Sequence, residues 1–292
     1  MTLTRLFRLF LCFSLAVVFI SGCHPDEKTI IVKTDVGQVE AIVKGHGPAV
    51  VMLPSLVRAA TDFDELADRL ADEHYKAVAV NLRGIGNSQG PLEEITQHDL
   101  AADVAALIKK ITHGSHQSVH IVGHAYGNRI ARTVANDYPE LVKSVTLVAA
   151  GGLVPMADDV YQDLVCSIDF TKTDEERLGC IQRAFFAEGN DASVWLDGWY
   201  PDIATSQSAA TQATNIDDWW VVEDRPILIV QGLEDVIAVP ENGHLLAEEV
   251  GTDVTVVDLE NAGHALLPEV PDQIANAMVE FLNKVEGRCK CK

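Results

Sequence analysis

The chain has 292 residues, 48% of them hydrophobic, enough to build one large α/β domain or one such domain with an inserted cap. Its formal net charge is −21. A surface of that sign repels phosphate backbones and anionic headgroups, which excludes nucleic acid as a partner and an electrostatic grip on lipid.

Residues 1–22 carry Arg5 and Arg8, an apolar run from Leu9 to Ile20 and then small residues, the pattern of a secretory signal peptide. Ile20-Ser21-Gly22-Cys23 resembles a bacterial lipobox. Cys23 is therefore expected to be lipidated and to anchor an exported protein in the cell envelope, on the periplasmic face. Ordinary secretion or an uncleaved anchor is the alternative. Losing Arg5 and Arg8 makes the remainder more negative still, so attachment would rest on acyl chains alone.

"KTIIVKTD" and "GQVEAIVKG" alternate in polarity and meet at Val36-Gly37, which predicts a hairpin. "PAVVMLP", residues 48–54, is a continuous apolar run and predicts a buried strand. Thr61 with Asp64 reads as a capping box for a helix running to about Asp72. The chain then alternates: strand "KAVAVNL", helix "HDLAADVAALIKKI", strand "SVHIVG", helix "YGNRIARTVANDY", strand "KSVTLVAA". From residue 152 to 223 clean strands stop, and four tryptophans with Cys166 and Cys180 appear. Alternation resumes with "RPILIVQG", a helix over 241–250, "TDVTVVDL" and a last helix over 271–284. This order predicts a mostly parallel central sheet flanked by helices, with core over 23–151 and 224–286, a helical cap over 152–223, and a tail at 287–292. The tryptophans serve the site or merely the core of the cap. An oxidising compartment permits a Cys166–Cys180 disulfide, whereas Cys289 and Cys291 are too close for an easy mutual bridge. No Cys/His cluster has zinc-site spacing, and nothing fixes an oligomeric state.

Five segments, "GHGPAVVMLP", "NLRGIGNSQG", "VGHAYGNRIA", "QGLEDVIAVPENG" and "NAGHALLPEVP", occur in the order and spacing of the α/β-hydrolase superfamily. The chain resembles that superfamily from about residue 29 to 284, which implies the α/β-hydrolase fold and a small-molecule substrate, without metal or cofactor. The resemblance places Asp235 as the acid and His264 as the base of a catalytic triad. It places the oxyanion hole at the N–H of Tyr126 and of Leu56 or Val57.

Two positions depart from the family pattern. Ala125 stands where the nucleophile belongs, with only a methyl group. Pro54-Ser55 stands where the family has His-Gly after the third strand, so a hydroxyl is lost on one wall of the pocket and gained on the facing wall. Three readings remain open: an engineered loss of the nucleophile, which leaves Ser55 unexplained; a catalytically dead binding protein; or Ser55 as a relocated nucleophile with His264 as its base. The bland alternatives for Ser55 are a helix cap, a position Thr61 already takes, and a buried serine bonding its own loop. Arg58 and His124 are the substrate-binding candidates. Arg58 pairs otherwise with Asp62 or Asp64, and His124 precedes the elbow without a catalytic role. Arg83 reads as a brace for its loop. Two functions follow: a hydrolase of an ester, thioester, lactone or amide, in which His264 activates Ser55 or water; or a non-hydrolytic enzyme (lyase or hydratase) or ligand receptor using Asp235 and His264 alone. Hydrogen-bond reach between Ser55 and His264 favours the first, and a gap between them favours the second.

Overall fold

The computed structural model describes residues 27–114 and 117–288. The signal at 1–22, Cys23, Cys289 and Cys291 lie outside the described residues. The strands are β1 (Lys28–Lys33), β2 (Gln38–Lys44), β3 (Ala49–Leu53), β4 (Lys76–Asn81), β5 (Val119–His124), β6 (Val142–Val148), β7 (Ile227–Gly232) and β8 (Val254–Leu259). They form one sheet in the order β1-β2-β4-β3-β5-β6-β7-β8. The hairpin β1–β2 and the β2–β4 pair are antiparallel, and every other pair is parallel.

The central strands are apolar on both faces because both are covered. Along β3, Val51 and Leu53 join one core, and Val50 and Met52 the other. The first core takes in α2 (Gln97–Ile111) and α3 (Tyr126–Asp137), and the second α1 (Asp64–Asp72) and α9 (Pro271–Val285). In α1 the buried residues Leu66, Ala67, Leu70 and Ala71 repeat at helical spacing, which fixes the face turned to the sheet. The helix α7 (Glu241–Val250) contributes Leu246 to the first core.

The capping box expected at Thr61 does not form. Residues Ala60–Phe63 make a 3-10 turn, α1 begins at Asp64 after Phe63, and neither start carries a side-chain cap. Ser55 lies outside both turns. Capping boxes do form at Thr96 with Asp99, at the start of α2, and at Thr173 with Glu176.

Between β6 and β7 lie α4 (Asp158–Ser167), α5 (Asp174–Phe185) and α6 (Ala204–Gln212), joined by 3-10 turns. A Cys166–Cys180 disulfide, with Cα atoms 5.9 Å apart, ties α4 to α5. Trp195 and Trp199 are buried together against Phe185. The short α8 (Leu266–Glu269) lies between β8 and α9.

Candidate active site

The β5–α3 junction is a sharp elbow. Ala125 sits at φ 50°, ψ −107°, a strained backbone that a residue with a Cβ adopts only when its surroundings impose it. Close packing imposes it here: a Cβ on Gly127 would lie 2.1 Å from the carbonyl oxygen of Leu53, and one on Gly123 would meet the backbone of Gly127 at 2.4 Å. The turn is thus kept although the residue at its apex has no hydroxyl. Tyr126 opens α3, and its N–H has no acceptor among the described residues.

After β7 the chain turns so that Asp235 is buried. Its Oδ1 accepts from the N–H of Ile237 (2.9 Å) and Ala238 (2.8 Å). The same carboxylate meets His264 Nδ1 at 3.1 Å from Oδ1 and 2.9 Å from Oδ2. A carboxylate accepts, so Nδ1 carries a proton, and an imidazole with no second proton presents its lone pair at Nε2. That nitrogen makes no hydrogen bond to the described residues, and His264 lines a cavity of about 580 Å³ under the cap. The His264 loop is pinned by the cap, where Ala265 N–H donates to Phe185 O at 2.8 Å, and by α8, where Gly263 N–H donates to Glu269 at 2.9 Å.

Ser55, Leu56, Ala125 and Tyr126 line the same cavity. Ser55 is buried, its carbonyl accepts from Arg58 N–H at 3.2 Å, and its hydroxyl is not hydrogen-bonded to His264. Of the two amides considered for the oxyanion, that of Val57 is occupied: it donates to Gln207 Oε1 of α6 at 2.8 Å. The Leu56 N–H has no acceptor among the described residues. Val57 itself stands at φ 52°, unusual for a β-branched residue, and its carbonyl is held by Tyr200 N–H at 2.9 Å. The cap therefore grips the loop that carries Ser55 and Leu56.

Two expected substrate contacts are placed elsewhere. Arg58 does not line the cavity. It makes a double hydrogen bond to Asp62 (2.6 and 2.8 Å), donates to Asp197 O and lies 4.6 Å from the centres of both Trp195 and Trp199. This is the ion-pair alternative, with tryptophans of the cap stacked around it. His124 is fully buried behind the elbow, where Nε2–H donates to the carbonyl of His264 at 2.8 Å and Nδ1 has no partner. Burial, with the neighbouring His264, lowers its pKa to about 3, so it stays neutral. Arg83 braces its loop through Asp103 and the carbonyls of Pro91 and Asp99.

The sequence reading singles out neither Gln207 nor Arg129, and it leaves Trp199, with the other tryptophans, open between the site and the core of the cap. Trp199 lines the cavity from the cap, and no local pattern marks Gln207. Arg129 also lines it, and its position four residues after Ala125 on the same helix face was a readable signal. Among the described residues no group of three metal-ligating side chains converges.

Residues 48–165 match the family model of the alpha/beta hydrolase fold. The chain is 25% identical over 269 residues to 2-(acetamidomethylene)succinate hydrolase of Mesorhizobium japonicum, covering 86% of this chain and 94% of that one. It is 25% identical over 230 residues to protein ABHD8 of Bos taurus, matching 71% of this chain but only half of that protein's length. Among solved structures it is similar to an esterase from Exiguobacterium antarcticum, with a TM-score of 0.73, 18% identity, and 88% and 100% of the two chains covered. With that sheet order and those likenesses, the chain has the α/β-hydrolase fold.

Proposed function

We propose that the protein is a hydrolase of a small-molecule ester, thioester, lactone or amide, with His264 as general base, Asp235 as its orienting carboxylate and Ser55 as nucleophile. One observation carries this reading: Nε2 of His264 opens on a capped cavity while Asp235 holds Nδ1. In the proposed step Ser55 Oγ bonds to the acyl carbon and gives its proton to Nε2. The oxyanion is received by the N–H groups of Leu56 and Tyr126. As the acyl–heteroatom bond breaks, the leaving alcohol, thiol or amine takes that proton. Water, deprotonated by His264, then releases the acid and restores the hydroxyl. One oxyanion donor is worth roughly 3–4 kcal/mol, so the retained strain at Ala125 has a use even without its hydroxyl. Similarity to a curated hydrolase along nearly its whole length supports hydrolysis in general.

The missing hydrogen bond between Ser55 and His264 counts against attack by Ser55 and favours a second reading with no acyl-enzyme, in which His264 activates water directly or serves with Asp235 in a non-hydrolytic enzyme or receptor. Treating purified protein with a fluorophosphonate and mapping the adduct separates the two. An adduct on Ser55 that Ser55→Ala abolishes supports the first. Turnover without an adduct supports the second, with water as the nucleophile. A folded protein with neither adduct nor turnover of an ester and amide panel supports a lyase or a receptor instead. The lipobox-like Cys23 supports an envelope location; no described helix is long and apolar enough to cross a membrane.

A further inference from the structure

Arg129 differs from the other arginines in the interior. The four buried ones are all engaged: Arg58 by Asp62, Arg83 by Asp103, Arg132 by the carbonyls of Asn128, Gly151 and Trp220, and Arg177 by the carbonyls of Ser167 and Leu196. Arg129 is partly buried in the cavity wall and, among the described residues, its guanidinium has no ion pair and no hydrogen bond. It lies over the face of Trp219, 5.1 Å from the ring centre. Arg132, three residues on, lies over the same ring at 4.6 Å and likewise has no carboxylate within ion-pair distance. Beside them Tyr126 carries a buried hydroxyl that lies near Thr211 without hydrogen-bond geometry.

A guanidinium stays protonated at any ordinary pH, and five N–H donors left without acceptors in a half-buried wall carry a desolvation penalty. Among the described residues, the sole carboxylate lining the cavity belongs to Asp158, exposed at the start of α4 and not paired with Arg129. Among the described residues Arg129 is also the only permanently cationic side chain on the lining. In a chain of net charge −21, an acidic ligand gains no help from the overall field and needs a local cation. Arg129 stands one turn beyond Ala125, and both line the cavity that His264 lines, so one bound molecule can meet the imidazole and the guanidinium together.

We infer that Arg129 is a specificity residue that binds a carboxylate of the substrate, so that the molecule cleaved at His264 is an acid as well as an ester or amide. The inference rests on the proposed hydrolase site, and its test separates the two. Equilibrium binding of monomethyl adipate and of its neutral counterpart, methyl hexanoate, is measured on the His264→Ala protein, which cannot use the base. Turnover of both esters is measured on the unaltered protein by methanol release. The expected result is a preference of about 10- to 100-fold for the acidic ester, the range of a charge-assisted pair. That preference should vanish in Arg129→Gln, survive in part in Arg129→Lys, and weaken as salt rises. Equal binding of the two esters, no measurable binding of monomethyl adipate, or a preference that outlasts Arg129→Gln would overturn it. Preferential binding without turnover of either ester would leave this inference standing and count against hydrolysis. Equal turnover of both would do the reverse.

Discussion

Replacing Asp235 with Asn tests the acid–base pair with little change of shape. The carboxylate of Asp235 does two things: Oδ1 accepts from the N–H groups of Ile237 and Ala238, and both oxygens face His264 Nδ1 at 2.9–3.1 Å. An asparagine that keeps its oxygen on the two backbone amides turns its NH2 towards Nδ1. Two donors cannot share that contact, so the imidazole must carry its proton at Nε2 instead. The lone pair is then withdrawn from the cavity, and no base faces the substrate. In a serine protease the equivalent change costs about 10⁴-fold in kcat, and a loss of roughly 10³- to 10⁴-fold is expected here. The backbone bonds survive, so the fold should lose no more than about 2 kcal/mol. Initial rates on a 4-nitrophenyl ester, with thermal melts beside them, give both numbers. A variant that folds and keeps more than a tenth of the rate would refute the role given to Asp235.

Arg58→Ala should destabilise the protein by about 3–5 kcal/mol, because it leaves Asp62 buried without its partner and empties the space between Trp195 and Trp199; the double variant with Asp62→Ala should recover part of this in a melt. Removing the Cys166–Cys180 disulfide, whose cysteines are 14 residues apart, should cost about 3 kcal/mol and loosen α4 against α5, read as a lower Tm in the Cys166→Ser, Cys180→Ser protein. Burial lowers the pKa of His124 to about 3 and that of His120 to about 4. The unfolded chain therefore takes up these protons first, and stability should fall as pH drops from about 6.5 towards those values, by up to ~1.4 kcal/mol per unit for each group. A Tm–pH curve for His124→Gln as steep as the parent's would contradict this.

Much of the scaffold was readable because the relevant forces are local. Apolar runs between turn residues marked β3 to β7, and the 3.6-residue spacing in 98–111 and 126–138 marked α2 and α3. Asp235 and His264 come from the resemblance of their segments to the superfamily, not from a local pattern, and the structure brings the two side chains into contact. The failures share a cause. Thr61 and Asp64 match a capping pattern, but the chain enters α1 through a 3-10 turn, which a three-residue pattern does not reveal. The four residues of α8, with Pro268 among them, are too few to show a period. Arg58 was weighed as a substrate contact or a partner of Asp62. What encloses it comes from Asp197, Trp195 and Trp199, well over a hundred residues away in sequence. Gln207 is equally remote from the Val57 amide it holds.

The imidazole of His264 is the point on which the account depends, and its removal is the most direct test. The kcat of the unaltered protein on a panel of small esters and amides should be compared with that of His264→Ala, both checked for an intact fold. The account predicts measurable turnover that falls at least a thousandfold in the variant. Equal rates in the two proteins would contradict it.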